Sequence, residues 1–329
     1  MSICFGRGRL SRVLCLLVAG VFSLPALAQT FPSKSLRLIV PYGPLGAVDF
    51  VPRLLAERMS ADLGQPVVVE NRGGGLGLPA IGEFLNAPAD GHTIFAGDAS
   101  HWSIVPAMQT VPYNFLRDFA PISITFSGPQ VWAVLGTSPI KTMQDLVAQI
   151  KANPGKMGFS SPGVGSLHHL EGEIFAFQLG LKVQHVPYKG GGEMVESLLR
   201  GDTQFLFISP NGVLPYVKTG KMTMLAVSTN TRFRTLPNTP TIAEATGLKD
   251  FNIAGQQGLF LRAGTPKPIV DRVAGSLLKA MAIPEIQSRV IETGGVELMP
   301  LTPEQFTELI RGDIRKFSEA VKLAGVKVQ

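Results

Sequence analysis

The feature that most constrains this chain is its alternation of short apolar runs with segments of helical period. Residues 35–40, 66–70, 93–97, 131–135, 157–160, 182–186, 204–208 and 222–228 read as strands. Residues 49–63, 81–86, 142–152, 166–179 and 193–199 read as helices between them, with later helices over 267–282 and 302–323. In the first helix Phe50, Val51, Leu54, Leu55, Met59 and Leu63 recur at helical spacing, and Gly64 ends it. Pro52 is read as lying in the first turn, where proline is tolerated. This alternation predicts an α/β fold with parallel-rich sheets flanked by helices. No Ser/Gly linker marks a boundary. The softest stretches are 127–130 and 230–250. Two crossings and a C-terminal return predict two lobes around a central ligand cleft: 31–127 plus 255–329, and 128–254.

Residues 1–28 read as a cleavable export signal. Arg7, Arg9 and Arg12 form a positive start, Val13 to Leu24 the apolar stretch, and Ala26-Leu27-Ala28 the cleavage site, leaving Gln29 as the first mature residue. The apolar stretch falls short of the roughly 20 residues of a spanning helix. Both cysteines, Cys4 and Cys15, lie in this leader. The mature chain therefore needs no disulfide, thiolate chemistry or cysteine metal site. The formal charge of +6, less the leader's three arginines, leaves +3. That mild excess suits attraction for anions and is unlike a nucleic-acid footprint, which needs clustered Lys and Arg.

Three turns share one design. Leu38-Ile39-Val40-Pro41 runs into Tyr42-Gly43-Pro44-Leu45-Gly46, and the helix bearing Asp49 follows at once. Asn71 to Gly77 places four glycines in five residues. Ser160-Ser161-Pro162-Gly163-Val164-Gly165-Ser166 again joins a strand to a helix. In an open parallel sheet such turns lie together at the carboxyl ends of the strands. Helix N-termini, free N–H groups and hydroxyls suit a carboxylate without any lysine or arginine. Each turn alone is also an ordinary connection: Ser166 is an apt helix cap, and His169 is as readily a core histidine as a ligand contact.

The chain resembles the periplasmic substrate-binding receptors of tripartite tricarboxylate transporters, the Bug family. The resemblance runs through Phe31-Pro32-Ser33-Lys34, Leu63-Gly64-Gln65-Pro66 to Arg72, Ala89-Asp90-Gly91-His92-Thr93, and Tyr113-Asn114 with Asp118 to Ile122. It continues through Gly163-Val164-Gly165-Ser166, Val186 to Gly190, Leu236 to Glu244, and Ala263-Gly264-Thr265-Pro266. It implies two α/β lobes closing on a small carboxylate and a membrane transport partner. It implies ligand contacts at Tyr42, Gly43, Pro44, Leu45, Gly46 and Asp49, at Gly75, Gly77 and Leu78, at Ser100, at Ser161, Gly163, Gly165 and Ser166, and at Tyr188 and Gln204. No cofactor, metal or nucleic acid is implied, and a monomer is the simplest expectation.

Departures from the family pattern bear on specificity. The usual Pro-Pro-Gly-Gly becomes Gly43-Pro44-Leu45-Gly46, and Gly-Gly-Asn becomes Leu76-Gly77-Leu78. Gln204 stands where an acid is common, and Gln256 or Gln257 where an aromatic is common. Leu45 and Leu78 predict a ligand with an apolar or aromatic body, and Gln204 argues against an amine on it.

Rival readings have weaker support. Gly75-Leu76-Gly77-Leu78-Pro79-Ala80 loosely fits a dinucleotide fingerprint, but Pro79 interrupts it and Asn71 to Gly74 lengthens the turn. No G-x-S-x-G elbow occurs. His168 and His169 lack the i, i+4 spacing of a helical zinc pair. The expectation is therefore a non-enzymatic, exported receptor. A sensor that presents the closed lobes to a two-component kinase would share every one of these features.

Overall fold

The computed structural model describes residues 31–324 together with Met1 and Ser2. The expected leader, its cleavage after Ala28 and both cysteines lie outside the described residues.

The chain opens with β1 (Leu36–Val40), α1 (Ala47–Leu63), β2 (Val67–Asn71), α2 (Leu78–Asn86) and β3 (Thr93–Gly97). Two long strands follow, far apart in the sequence, β4 (Phe119–Pro129) and β10 (Ala254–Arg262). Between them run β5 (Val131–Leu135), α3 (Met143–Ala152), β6 (Gly158–Ser161), α4 (Leu167–Leu179), β7 (Gln184–Pro187), α5 (Gly191–Arg200), β8 (Phe205–Ile208) and β9 (Met222–Val227). After β10 come α6 (Lys267–Met281), the short β11 (Glu297–Leu298) and α7 (Pro303–Ala324).

These strands make two sheets, ordered β11-β4-β10-β3-β1-β2 and β7-β6-β8-β5-β9. Each is mixed, parallel in one half and antiparallel in the other, within the expected α/β architecture of sheets flanked by helices. β1 pairs in parallel with β2 and β3, and β6 with β7 and β8. β10 runs antiparallel to β3 and β4, and β5 antiparallel to β8 and β9. The parallel halves come from the strand–helix alternation. The antiparallel halves are built from strands that carry the chain between sheets.

Both faces of each sheet are buried, as expected when helices cover them. Leu36, Leu38 and Val40 face α1 and α6, packing with Val51, Leu55, Val273 and Leu277. Ile39 and Phe95 face the other way, toward Ile81, Phe84 and Phe306. The second sheet repeats the period of two: Trp132, Phe205 and Phe207 join one cluster, while Val131, Ala133 and Leu206 join another. α7 packs against both β4 and α4, and its Asp313 accepts the Trp102 indole N–H at 2.9 Å.

The two crossings meet at one residue. The Gln130 N–H donates to Ser228 Oγ at 2.9 Å, and the Ser228 hydroxyl donates to the Ile253 carbonyl at 2.5 Å. The Ser228 N–H returns to the Gln130 carbonyl, and the Ile253 N–H to the Ser228 carbonyl.

Candidate functional site

The turn after β1 forms because Leu45 and Gly46 both take positive φ, 83° and 86°. α1 therefore starts at Ala47, two residues earlier than expected, and its N-cap Gly46 has no side chain with which to cap it. Pro52 consequently lies inside the helix, beyond the first turn. It lacks the N–H that would bond the Val48 carbonyl four residues back. The fully buried Gln257 supplies the missing donor, its Nε2 reaching Val48 O at 3.0 Å. The helix start is thus held by a residue of β10, more than 200 positions away in sequence.

Turns of the two sheets are tied across the space between them. The Gly43 N–H donates to Lys189 O, and the Gly192 N–H to Pro44 O. The Ala47 N–H donates to Ser209 Oγ at 2.8 Å, and the Leu167 N–H to Ser100 Oγ at 3.0 Å. The arrangement is a closed one. A Cβ at Gly73 would stand 2.7 Å from Gly43 N, so the seam needs glycine there.

A cavity of about 40 Å³ lies between the sheets. Tyr42, Leu45, Gly46, Ala47 and Val48 border it from the first sheet, and Leu167, His168, Met194, Ile208 and Ser209 from the second. Gln130 and Gln256 lie at the crossings beside it. The Gln130 side chain is 5% exposed, and its Oε1 has no hydrogen-bond partner. That oxygen can only accept a hydrogen bond. Asp98 also borders the cavity. It accepts from the Tyr42 hydroxyl at 2.6 Å and the Ser100 N–H at 2.9 Å, with His101 Nδ1 2.9 Å away. Burial pushes the Asp98 carboxyl up, but the His101 charge and the bonds from His101, Tyr42 and Ser100 outweigh it, so the group stays below its ordinary value. Burial holds His168 down at about 4, leaving its ring neutral at pH 7.

A narrower crevice continues the cavity past Gly77, Ser100, His101, Gly165 and Ser166, with Leu76 on its wall. Leu76 also takes positive φ, 59°. Leu45 and Leu76 are the non-glycine residues with positive φ among the described residues, and both border the space between the sheets.

Of the expected site residues, Tyr42, Leu45 and Gly46 meet at the cavity, and Gly77, Ser100, Gly165 and Ser166 at the crevice. Gly43 and Pro44 form the seam. Several others face elsewhere. Asp49 accepts from Arg53 Nε and Asn71 Nδ2, and Asn71 also holds the Tyr42 carbonyl, so Asp49 braces the turn from behind. Leu78 opens α2 and packs into the hydrophobic core; Leu76 is the leucine at the crevice. Gly75 is exposed and bends the turn. The Ser161 hydroxyl is taken by Gly163 and by His185 Nε2 at 2.5 Å. Gly163 serves that same turn, its carbonyl accepting the Ser166 hydroxyl at 2.7 Å. Ser166 caps α4 by accepting the His169 N–H, and His169 is a satisfied core residue whose Nδ1 accepts from Gly165. Tyr188 packs against the core of the second sheet.

Gln204 is the clearest correction. It precedes β8, and its amide bonds Gly158 N and Gly201 O at the far end of the strand from Ile208. Four residues of strand separate them by about 13 Å. The argument from Gln204 against a ligand amine therefore falls. Sequence reasoning missed Gln130, His168 and Ser209 as cavity residues. The one available signal was position: Gln130 and Ser209 directly follow strands and His168 lies in the first turn of α4, at the end of the sheet where open α/β folds bind ligands.

Among the described residues, no helix is long and apolar enough to cross a membrane. No group of three or more His, Cys, Asp or Glu there is arranged to hold a metal ion.

Comparison with known proteins agrees with this architecture. Residues 51–326 match the model of the tripartite tricarboxylate transporter family receptor. A "UPF0065 protein in tcbD-tcbE intergenic region" of Pseudomonas sp. (strain P51) is 31% identical over 89% of this chain and 87% of its own length. Protein BugT of Bordetella pertussis is 30% identical over 95% and 98%. The structure of the periplasmic binding protein BugD superposes with a TM-score of 0.85 at 30% identity, covering 91% of this chain and all of that one. R. palustris Rpa4515, solved with adipate, gives a TM-score of 0.86 at 27% identity over 90% and 99%. BugD is a periplasmic binding protein, and this chain belongs to the tripartite tricarboxylate transporter receptor family, a family of receptors rather than enzymes.

Proposed function

We propose that this protein captures a small carboxylate-bearing solute in the cavity between its two sheets and delivers it, in the closed form, to the membrane subunits of a tripartite tricarboxylate-type transporter. One observation carries the reading. The start of α1, at Ala47 and Val48, borders the cavity between the sheets. A helix start, with its backbone N–H groups and the positive end of the dipole, is suited to an anion. Family membership and the adipate-bound relative support the same ligand class. The lobes are 31–127 plus 255–329, and 128–254, a division supported by the sheet to which each strand belongs. A monomer is part of this reading, and the periplasmic binding protein BugD supports export, with cleavage placed after Ala28.

The test is thermal melting of residues 29–329, unfolded and refolded to strip bound solute, against citrate, C4–C6 dicarboxylates, amino acids, and aliphatic and aromatic monocarboxylates. A ligand at 100 times its Kd adds about 2.7 kcal/mol, which is a rise of several degrees. A flat panel from folded, empty protein would overturn the reading.

A further inference from the structure

We propose that Asp98 makes this receptor selective for monocarboxylates with an apolar body, and against dicarboxylates. The inference rests on the carboxylate-receptor reading and deepens it.

The cavity provides for one negative charge. A carboxylate at the start of α1 meets the positive end of the helix dipole. A second carboxylate finds no lysine or arginine on the wall. His168 is neutral there. The Gln256 amide is engaged with Ser127. The remaining surface is apolar, from Leu45, Val48, Phe126, Met194 and Ile208. The one charged group bordering the cavity is Asp98, 7% exposed and fixed by Tyr42, Ser100 and His101. His101 and the two donors stabilise the carboxylate where it is, so it cannot turn away or readily take a proton.

In a cavity this small a second ligand carboxylate cannot keep its water or retreat from Asp98. Two like charges about 6 Å apart at an effective dielectric near 20 repel enough to weaken binding roughly 100-fold. The family's adipate-bound member shows that the fold can hold a dianion. The discrimination proposed here therefore lies in this chain's own wall.

The experiment compares ligands matched except for charge: hexanoate, adipate and monomethyl adipate, and 3-phenylpropanoate against 4-(2-carboxyethyl)benzoate. Each is titrated calorimetrically into stripped wild-type protein and Asp98→Asn. The expected result is a preference of about 30-fold or more for the monoanion of each pair in wild type, with monomethyl adipate grouping with hexanoate. Asp98→Asn should narrow that preference at least tenfold. The monoester arm needs no variant, so it decides the matter even if Asp98→Asn fails to fold. Adipate binding as tightly as its monoanionic partners would overturn the proposal and leave the carboxylate-receptor reading standing. An unchanged preference in folded Asp98→Asn would also overturn it. Failure of every carboxylate, here and in the melting panel, would remove both.

Discussion

Gly190 and Gly43 meet backbone to backbone across the seam: a Cβ at Gly190 would stand 2.8 Å from the Gly43 Cα. Neither neighbour is a flexible side chain that could yield. Gly190→Ala should therefore wedge the closed form while leaving each sheet intact. Overpacking of this kind costs about 1–3 kcal/mol, so affinity for the best carboxylate of the panel should fall about tenfold or more. The melting temperature of the empty protein should scarcely move. Calorimetric titration beside a melt checks both, and unchanged affinity would show that the bound form does not use this seam.

Leu45 holds a left-handed backbone that costs a non-glycine residue about 1–2 kcal/mol. Leu45→Gly relieves that strain and adds about 0.4–1 kcal/mol of unfolded-state entropy. The empty protein should gain about 0.5–1 kcal/mol in urea unfolding. Binding of apolar-bodied carboxylates should weaken, because the side chain borders the cavity. A clear loss of stability would mean that its packing outweighs the strain.

Glu171 is fully buried, and burial raises its carboxyl to about 8 despite the opposing hydrogen bond from Trp132. The folded chain keeps this proton through neutrality, while the unfolded chain has released it near 4.5. The group's stabilisation is thus complete below about 4.5 and is lost as pH rises toward 8. Glu171→Gln retains an acceptor for the Trp132 indole and removes the titration. Its stability relative to wild type should climb between pH 5 and 8, gaining on the order of 3 kcal/mol by pH 7. A pH-independent difference in chemical denaturation would place the raised value in doubt.

The Ser166 hydroxyl is spent within its own turn, donating to Gly163 O and accepting from His169 N. Ser166→Ala should cost about 1 kcal/mol of stability as a lost helix cap, with ligand affinity changed less than threefold. A tenfold loss of affinity at unchanged stability would instead make the hydroxyl a ligand contact.

The parallel halves of both sheets were legible in the sequence because each strand there is followed by a helix with its own apolar period. β4 and β10 were not. β4 carries Pro121 and Pro129, residues that argue against a central strand. Pro121 is accommodated where the β4–β10 register shifts, opposite Phe260. β10 begins Ala254-Gly255-Gln256-Gln257-Gly258, with no alternation to read. These strands pair with each other across more than 120 residues, and no local pattern encodes such a pairing. The same distance hid part of the site. The Tyr42–Gly46 turn announces itself, whereas Gln130 borders the cavity only because β4 passes into the second sheet there. Gln204 misled for the complementary reason. It was judged by family position, and β8 places it at the end of the sheet remote from the turns.

The Ser228 hydroxyl has one proton and sits between both crossings, accepting from Gln130 and donating to Ile253. The two connecting strands are thereby geared together. Neither can swing without dragging the other, so the many torsions of two separate linkers reduce to one shared rotation. A body with a single rotational freedom has one path between its open and shut limits, and the filling of the cavity becomes legible from outside as a position along that path.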